Sequence, residues 1–230
     1  MMVTICFGGS VLAPEEPNVS LVKEAARAIR VLKSERYNVL VVTGGGGTAR
    51  KYMGAAKILG TSGIYLDKIG IDVSRLNARM LISALGNVAE PDPVTTVEAA
   101  VRAVLKNKVP VMGGTNPGQT TDTVAAMVAK ASRSDVLVFF SDVDGIYTAD
   151  PKRDPLAKKI ERMTTVELAN KFGRVKTEPG MKTIIDPVAA QLIERSKMKA
   201  LFLGVEEMGR LPEILKGANH NGTTIIPVSE

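Results

Sequence analysis

Four turns rich in glycine and hydroxyl side chains stand out in this sequence, because their residue types suit the binding of phosphate groups. Glycine lets the backbone approach a phosphate closely, and free N–H groups at the start of a helix attract anions. One such turn carries little weight, since glycine occurs in loops of every kind. Each of the four, however, directly follows an apolar run; they lie at residues 8–10, 44–48, 113–122 and 142–147.

The apolar runs before these turns have the composition of buried β-strands, with Val, Ile and Leu on consecutive positions. We predict strands at residues 3–7, 39–43, 109–112, 136–141, 200–203 and 223–228. Helical stripes lie between them at 21–32, 73–85 and 122–132, and Leu76 belongs to the apolar side of the second stripe. This alternation predicts an α/β fold, a three-layer sandwich with a central, mainly parallel sheet.

The position of the turns predicts one shared binding site. Ligands of open parallel sheets bind beyond the carboxyl ends of the strands, where these four turns would meet. We therefore expect a substrate system with several phosphates, such as a nucleotide donor and a phosphorylated acceptor. Gly44, Gly46 and Ala49 with Asp67 also fit the loose dinucleotide fingerprint, but that fingerprint normally follows the first strand and leaves the later turns unexplained.

Composition and charge narrow the function classes. The 230 residues are a common length for one α/β domain, so we predict a single domain over residues 1–230. The net charge of +6 is spread along the chain, tryptophan is absent and aromatics are few, so we do not expect a nucleic-acid partner. No apolar stretch is long enough to cross a bilayer, and the single cysteine, Cys6, fits a reducing compartment. We therefore expect a cytoplasmic protein without a membrane partner.

Taken together, these segments resemble the amino-acid-kinase superfamily and, within it, the UMP kinase family of archaeal type. The most specific segments are Asp-Gly-Ile-Tyr-Thr-Ala-Asp-Pro at 144–151, for the superfamily, and Thr-Thr-Asp at 120–122, for the branch with nucleotide acceptors. Matching segments at 67–70, 185–187 and 221–224 extend the resemblance from end to end.

The resemblance implies a cytoplasmic UMP kinase of pyrimidine biosynthesis, which uses ATP with Mg²⁺ and assembles as a homohexamer built from dimers. It implies that the ATP ligands are Gly9, Ser10, Gly46, Arg50, Ser141, Asp142, Tyr147 and Asp150. It implies that the UMP ligands are Gly45, Asp67, Thr115, Asn116, Pro117, Gly118, Gln119, Thr120 and Thr121. No residue is expected to bind the metal directly.

Phosphoryl transfer needs alignment and neutralisation of negative charge, which singles out Arg50, Asp122 and Ser10 as candidate catalytic residues. Arg50 and the Ser10 hydroxyl supply hydrogen-bond donors, and Asp122 can orient groups or reach a metal-bound water. The plainer alternatives stay open: Asp122 as a helix N-cap, Arg50 as a solvated helix residue, and Tyr147 as a packing residue in a turn.

The resemblance also implies a departure from the bacterial members, which carry lysines where this chain has Cys6 and Asp142. Another cation must then face the transferred phosphoryl group. Arg50 is the first candidate, Lys51 the second and Lys182 the third. Lys182 belongs to an aperiodic region, and residues 173–180 of that region are predicted to form a mobile loop.

Two other functions are compatible with the pattern. The first is another kinase of the superfamily, acting on an isoprenoid phosphate, carbamate or an amino acid. An isopentenyl phosphate kinase would want a histidine soon after the glycine-rich loop, whereas the single histidine is His220. The second is a nucleotide-binding regulator or storage protein that has lost catalysis, which the missing lysines favour and the complete phosphate turns oppose.

Overall fold

A seven-stranded sheet organises the chain in the computed structural model, which describes residues 1–151, 154–174 and 184–228. The strand order is β3-β2-β1-β4-β8-β9-β7, and β5 and β6 form a separate two-stranded ribbon. The strands are β1 Met2–Phe7, β2 Asn38–Thr43, β3 Val111–Met112, β4 Val136–Ser141, β5 Ile146–Tyr147, β6 Lys159–Ile160, β7 Arg162–Thr164, β8 Ala200–Gly204 and β9 Thr223–Ile226.

Helices cover both faces of this sheet. They are α1 Gly9–Leu12, α2 Val19–Ser34, α3 Gly46–Ile58, α4 Ile64–Leu85, α5 Val97–Leu105, α6 Thr121–Ala131, α7 Thr165–Phe172, α8 Pro187–Arg195 and α9 Leu211–Leu215. Two short 3₁₀ turns occupy Gly86–Val88 and Val205–Arg210. In the described part of the chain, no helix combines the length and the apolar character that a membrane span requires.

Strand directions confirm the predicted mainly parallel sheet. The strands β3, β2, β1, β4 and β8 pair in parallel, whereas β9 runs antiparallel to β8 and β7 runs parallel to β9. Two predicted strands are shorter than expected. Val109 makes only an isolated bridge to Ala89 before β3 begins, and β9 ends at Ile226.

Side-chain alternation along β1 explains the three layers. Val3, Ile5 and Phe7 point to one face and pack with residues of α2 and α4, whereas Cys6 packs on the other face with residues of α5, α6 and α8. Full burial of a side chain such as Phe7 contributes about 1.5–3 kcal/mol, so both faces hold the helices firmly. The prediction for Leu76 was wrong: it is 61% exposed, because α4 turns that side away from the sheet.

Candidate active site

The carboxyl ends of the parallel strands open into a cleft of about 530 Å³. Because β2 and β3 lie on one side of β1 while β4 and β8 lie on the other, this edge is a topological switch point, where open α/β sheets bind ligands. All four predicted turns contribute to the cleft or border it. Its lining includes Gly9, Ser10, Gly45, Gly46, Arg50, Asp67, Gly118, Gln119, Thr120, Thr121, Asp122, Ser141 and Asp142.

Five predicted ligands lie outside this lining: Thr115, Asn116, Pro117, Tyr147 and Asp150. Thr115 points back into its own loop, where its hydroxyl donates to Gln119 Oε1 at 2.7 Å. The turn after β4 leads into the β5–β6 ribbon and not into a helix. The cleft is therefore lined by the turns that follow β1, β2 and β3 and by the first residues of the turn that follows β4.

The turns after β1 and β2 interlock backbone against backbone. A Cβ atom on Gly9 would overlap the Gly46 nitrogen, and one on Gly44 would overlap the Gly9 nitrogen. Gly46 also has φ +68°, a conformation that glycine adopts at low cost. These glycines are therefore needed for packing as well as for close approach to a ligand.

Side chains of α4 hold the turns after β2 and β3 in place. The Asn77 amide donates to the Gly44 carbonyl at 2.8 Å, and the Ser74 hydroxyl accepts from the Gly114 N–H at 2.7 Å. Arg75 donates from Nε to the Gly114 carbonyl at 3.1 Å and from Nη2 to the Thr115 carbonyl at 3.3 Å. Sequence reasoning missed these three residues, since an amphipathic helix carries no local signal for loops that are distant along the chain.

Asp67, also on α4, lies beside the third turn. Its Oδ2 atom accepts from the Gly118 N–H at 2.8 Å, and Gly118 has φ +82°. This contact fixes the tip of the loop that precedes α6. The carboxylate thus has one structural partner in the loop while it lines the cleft.

A pair of carboxyl groups forms the floor of the cleft. Burial, followed by the nearby charge of Asp186, raises the pKa of Asp122 to about 6. The Cys6 thiol donates to Asp122 Oδ1 at 3.7 Å, and burial, followed by the charge of Asp122, raises the pKa of that thiol. Asp122 therefore carries a proton over part of the mildly acidic range, and its charge at neutral pH is costly.

The helix caps next to this floor exclude one of the plainer alternatives, Asp122 as the N-cap of a helix. Thr120, not Asp122, is the N-cap of α6, because its hydroxyl accepts from the Thr123 N–H at 3.2 Å. Asp186 caps α8 through the Val188 and Ala189 N–H groups and accepts from the Thr120 hydroxyl at 2.8 Å. Asp122 therefore does not cap α6. Asp186 had no predicted role, although an Asp-Pro pair before an apolar stripe is a recognisable helix start.

The three candidate cations have different positions. Arg50 is exposed on α3 and lines the cleft. Lys51 points away and pairs with Glu15 at 3.0 Å, with both side chains exposed. Lys182 lies outside the described residues, as do most positions of the predicted mobile loop. Of the candidate cations that the structure describes, Arg50 alone faces the cleft.

The turn after β4 forms the opposite wall. The Ser10 hydroxyl donates to Asp142 Oδ1 at 3.2 Å, which links this wall to the turn after β1. Further along, the Tyr147 hydroxyl donates to Asp144 Oδ1 at 2.6 Å, and this hydrogen bond raises the pKa of Tyr147 to about 12. Lys159 pairs with Asp144 Oδ2 at 2.9 Å. In this structure the Tyr147 hydroxyl is thus bonded within the turn and lies outside the cleft lining, and its role as an ATP ligand stays a prediction.

Comparison with known proteins agrees with this geometry. Residues 1–204 match the model of the amino acid kinase family, and the chain belongs to that family.

Within the family, the chain is similar to archaeal uridylate kinases along almost its full length. It is 39% identical to the uridylate kinase of Pyrococcus abyssi, over 99% of this chain and 100% of the relative. It is 42% identical to that of Methanosarcina mazei, over 94% of this chain and 92% of the relative. The crystal structure of uridylate kinase from Archaeoglobus fulgidus superposes with a TM-score of 0.85 at 37% identity, covering 98% of this chain and 100% of that one.

Proposed function

We propose that this chain is a uridylate kinase, which transfers the γ-phosphate of ATP to UMP and yields ADP and UDP. The observation that carries the proposal is the convergence of the glycine turns after β1, β2 and β3 on one cleft that Arg50 faces. Such a cleft offers backbone N–H groups and a guanidinium to closely spaced phosphates. The similarity to archaeal uridylate kinases supports UMP as the acceptor.

The two substrates divide the cleft between its walls. ATP lies along the turns after β1 and β4, with Gly9, Ser10, Gly46, Arg50, Ser141 and Asp142 nearest its phosphates. UMP lies along the turn after β3 and α4, with Gly45, Asp67 and residues 118–121 nearest it. This division places the two reacting phosphates near Arg50 and the start of α6, where the lining residues from both sides meet.

The reaction then depends on alignment and charge neutralisation. The UMP phosphate is already ionised at neutral pH, so no general base is required. Arg50 and the N–H groups of Gly9 and Gly46 stabilise the charge that spreads over the transferred phosphoryl group. The Ser10 hydroxyl, which bonds Asp142 in this structure, turns to the donor phosphates when ATP is present.

The residues of the cleft also fit magnesium–ATP. Among the described residues, no group of three or more Asp, Glu, His or Cys side chains could hold a metal ion by itself. Mg²⁺ is therefore expected to arrive on the ATP phosphates and to supply positive charge there, with water completing its shell. Asp122 lines the cleft and is suited to accept hydrogen bonds from such a water.

The sharpest test of this site is the Arg50→Ala variant, with Lys51→Ala as its matched control. Loss of a charge-assisted phosphate contact costs about 1.5–3 kcal/mol, so we expect turnover with ATP and UMP to fall at least about tenfold in Arg50→Ala. Lys51→Ala removes an equal charge from the adjacent position, where the lysine pairs with Glu15, and should stay within about twofold. Equal turnover in the wild type and in Arg50→Ala would remove Arg50 from the mechanism.

A substrate panel separates the proposal from its alternatives. ADP release is measured with UMP, CMP, isopentenyl phosphate, glutamate and carbamate. Activity with one of the other acceptors and not with UMP would assign the chain to another branch of the family. ATP binding without turnover on any acceptor would favour a regulator or storage protein.

We also propose that the chain assembles as a homohexamer built from dimers. Support comes from the exposed apolar side chains of the adjacent helices α3 and α4 and of the connection between them, since exposed apolar surface is typical of subunit interfaces. Its members are Tyr52, Ile58, Leu59, Ile64, Tyr65 and Leu76. Light scattering should give a hexamer for the wild type and smaller species for Tyr65→Glu/Leu76→Glu, whereas Leu105→Glu, a change at an exposed leucine on α5, should leave the hexamer intact. A monomeric wild type would contradict the proposal.

A cytoplasmic location completes the proposal. The single cysteine, Cys6, is free and buried in β1, which fits a reducing compartment.

A further inference from the structure

One face of the sheet is left partly uncovered at the β9 and β7 end. The register aligns Val138, Leu201, Thr224 and Arg162 in one row across β4, β8, β9 and β7. Val138 and Leu201 are buried in the core that α2 and α9 cover, whereas Thr224 is half-buried and Arg162 is exposed. The apolar row thus turns polar where the helices end.

A second cavity, of about 550 Å³, lies over this end of the sheet. We call it the β9 cavity. Its floor includes Leu201, Thr224 and Arg162, and its wall is the connection from Ile214 to Gly222. None of its lining residues lines the candidate active site. Its volume lies in the range of small-molecule sites.

Two cations share the floor of the β9 cavity. Side chains alternate along a strand, so Lys199, two positions before Leu201, points to the same face as Leu201 and Arg162. Within the described chain, neither Lys199 nor Arg162 has a carboxylate within 4 Å. A third lining lysine, Lys159, is already held by Asp144, and the acidic residue of the described lining is Glu161.

His220, in the wall of the β9 cavity, lies near both cations. The Gly222 N–H donates to His220 Nδ1 at 3.0 Å, so Nε2 carries the proton and donates to the Thr224 hydroxyl at 3.0 Å. Burial lowers the pKa of His220, and the charges of Lys199, Arg162 and Arg210 lower it further, against the opposing charge of Glu207. Both floor cations therefore lie close enough to His220 to act on its pKa.

We propose that the β9 cavity binds a small phosphorylated anion, with Arg162 and Lys199 as the cations that contact its phosphate groups. The guanidinium fork of Arg162 suits phosphate oxygens, and Lys199 adds a second charge on the same face. The hydroxyl of Thr224 lies between them in the floor and supplies a polar contact. The occupant is either free pyrophosphate or the polyphosphate of a nucleotide, which share this chemistry.

Calorimetric titration of the full-length chain tests the proposal. Pyrophosphate, UTP or GTP is titrated without other ligands into the wild type and the variants, and the equivalent that binds at the candidate active site, an assignment that rests on the proposed function, is common to all of them. We expect one further equivalent to bind per chain, and the affinity to fall at least about tenfold in Arg162→Ala/Lys199→Ala. Equal affinity for pyrophosphate and the nucleotides would identify the phosphates as the recognised group; tighter nucleotide binding would show that the cavity also holds the nucleoside.

The control is Arg102→Ala/Lys106→Ala, which removes one arginine from α5 and the lysine at its C-cap, on the opposite face of the sheet. It should bind like the wild type. Lys199→Gln serves as a second variant with a smaller change, and ADP release with UMP, expected to be unaltered, verifies that each variant is folded. Absence of further binding in the wild type at millimolar anion, undiminished binding in Arg162→Ala/Lys199→Ala, or an equal loss in the control would overturn the proposal. Failure of the UMP assay in every protein, the wild type included, would instead contradict the proposed function.

Discussion

Replacing Asp122 by asparagine should make the protein more stable and less active. The carboxyl group lies at the floor of the cleft, close to Asp186, and its pKa is raised from 3.8 to about 6. The native state therefore holds the Asp122 proton to higher pH than the unfolded chain does. Asparagine keeps an oxygen that can accept from the Cys6 thiol, which donates at 3.7 Å, and carries no charge.

The magnitude follows from linkage. A pKa raised from 3.8 to about 6 corresponds to a stability cost of about 3 kcal/mol when Asp122 is ionised. Below pH 3.8 the cost is absent, between pH 3.8 and about 6 it grows, and above about pH 6 it is complete. The stability advantage of Asp122→Asn should follow the same course. In a chain of this size it should reach about 6–12 °C in melting temperature at pH 7.

Urea unfolding of the wild type and Asp122→Asn at several pH values between 4 and 7, at fixed protein concentration, measures this difference. The free energies of unfolding should converge at the acidic end and separate at the neutral end. Turnover on UMP should fall in the variant, since the proposed mechanism uses the carboxylate. A difference that is constant with pH, or a variant less stable than the wild type at pH 7, would refute the burial argument.

Three further predictions concern the scaffold, the first two at the site and the third at the start of α7. Gly46→Ala should lower the melting temperature by several degrees, because Gly46 has φ +68° and the new Cβ would overlap the carbonyl oxygens of neighbouring turns. Gly54→Ala on α3 meets open space and should stabilise the protein by about 0.5–1 kcal/mol. Calorimetric melting compares the two variants with the wild type. Arg75→Met should raise KM for UMP about tenfold and leave KM for ATP within about twofold, because two carbonyls of the loop after β3 lose their hydrogen-bond donor. Steady-state kinetics measures both constants, and an equal rise in the two would contradict the prediction. Thr164→Ala should cost about 1 kcal/mol in urea unfolding, through loss of the capping box with Glu167.

Much of the fold could be predicted from the sequence because the strands are covered on both faces. Continuous apolar runs before glycine turns located β1, β2, β4 and β8 to within a few residues. The weak predictions were at the ends and edges, where β3 is reduced to Val111–Met112. The outer side of β3 is bridged by Val94, through Met112, and is not paired with a full strand in the described chain, so the length of β3 depends on the neighbouring chain more than on its own composition.

The candidate site likewise contains residues that local patterns predict and residues that they do not. Turn glycines and the Thr-Thr-Asp segment are local signals, and the structure places most of these residues around one cleft. Asp186 and the α4 side chains Ser74, Arg75 and Asn77 act on loops that are distant along the chain. Their contacts depend on how helices pack, which no local pattern encodes.

The sequence by itself determined the parallel α/β architecture, the turns that border the cleft and the family resemblance, because these rest on side-chain periodicity and glycine content within short segments. Only the tertiary structure decided that Arg50 faces the cleft while Lys51 pairs with Glu15, and that Asp122 is buried beside Asp186. The reason is physical: adjacent helix residues point in directions about 100° apart, and the pKa of a carboxyl group depends on the solvent and charges that folding brings to it.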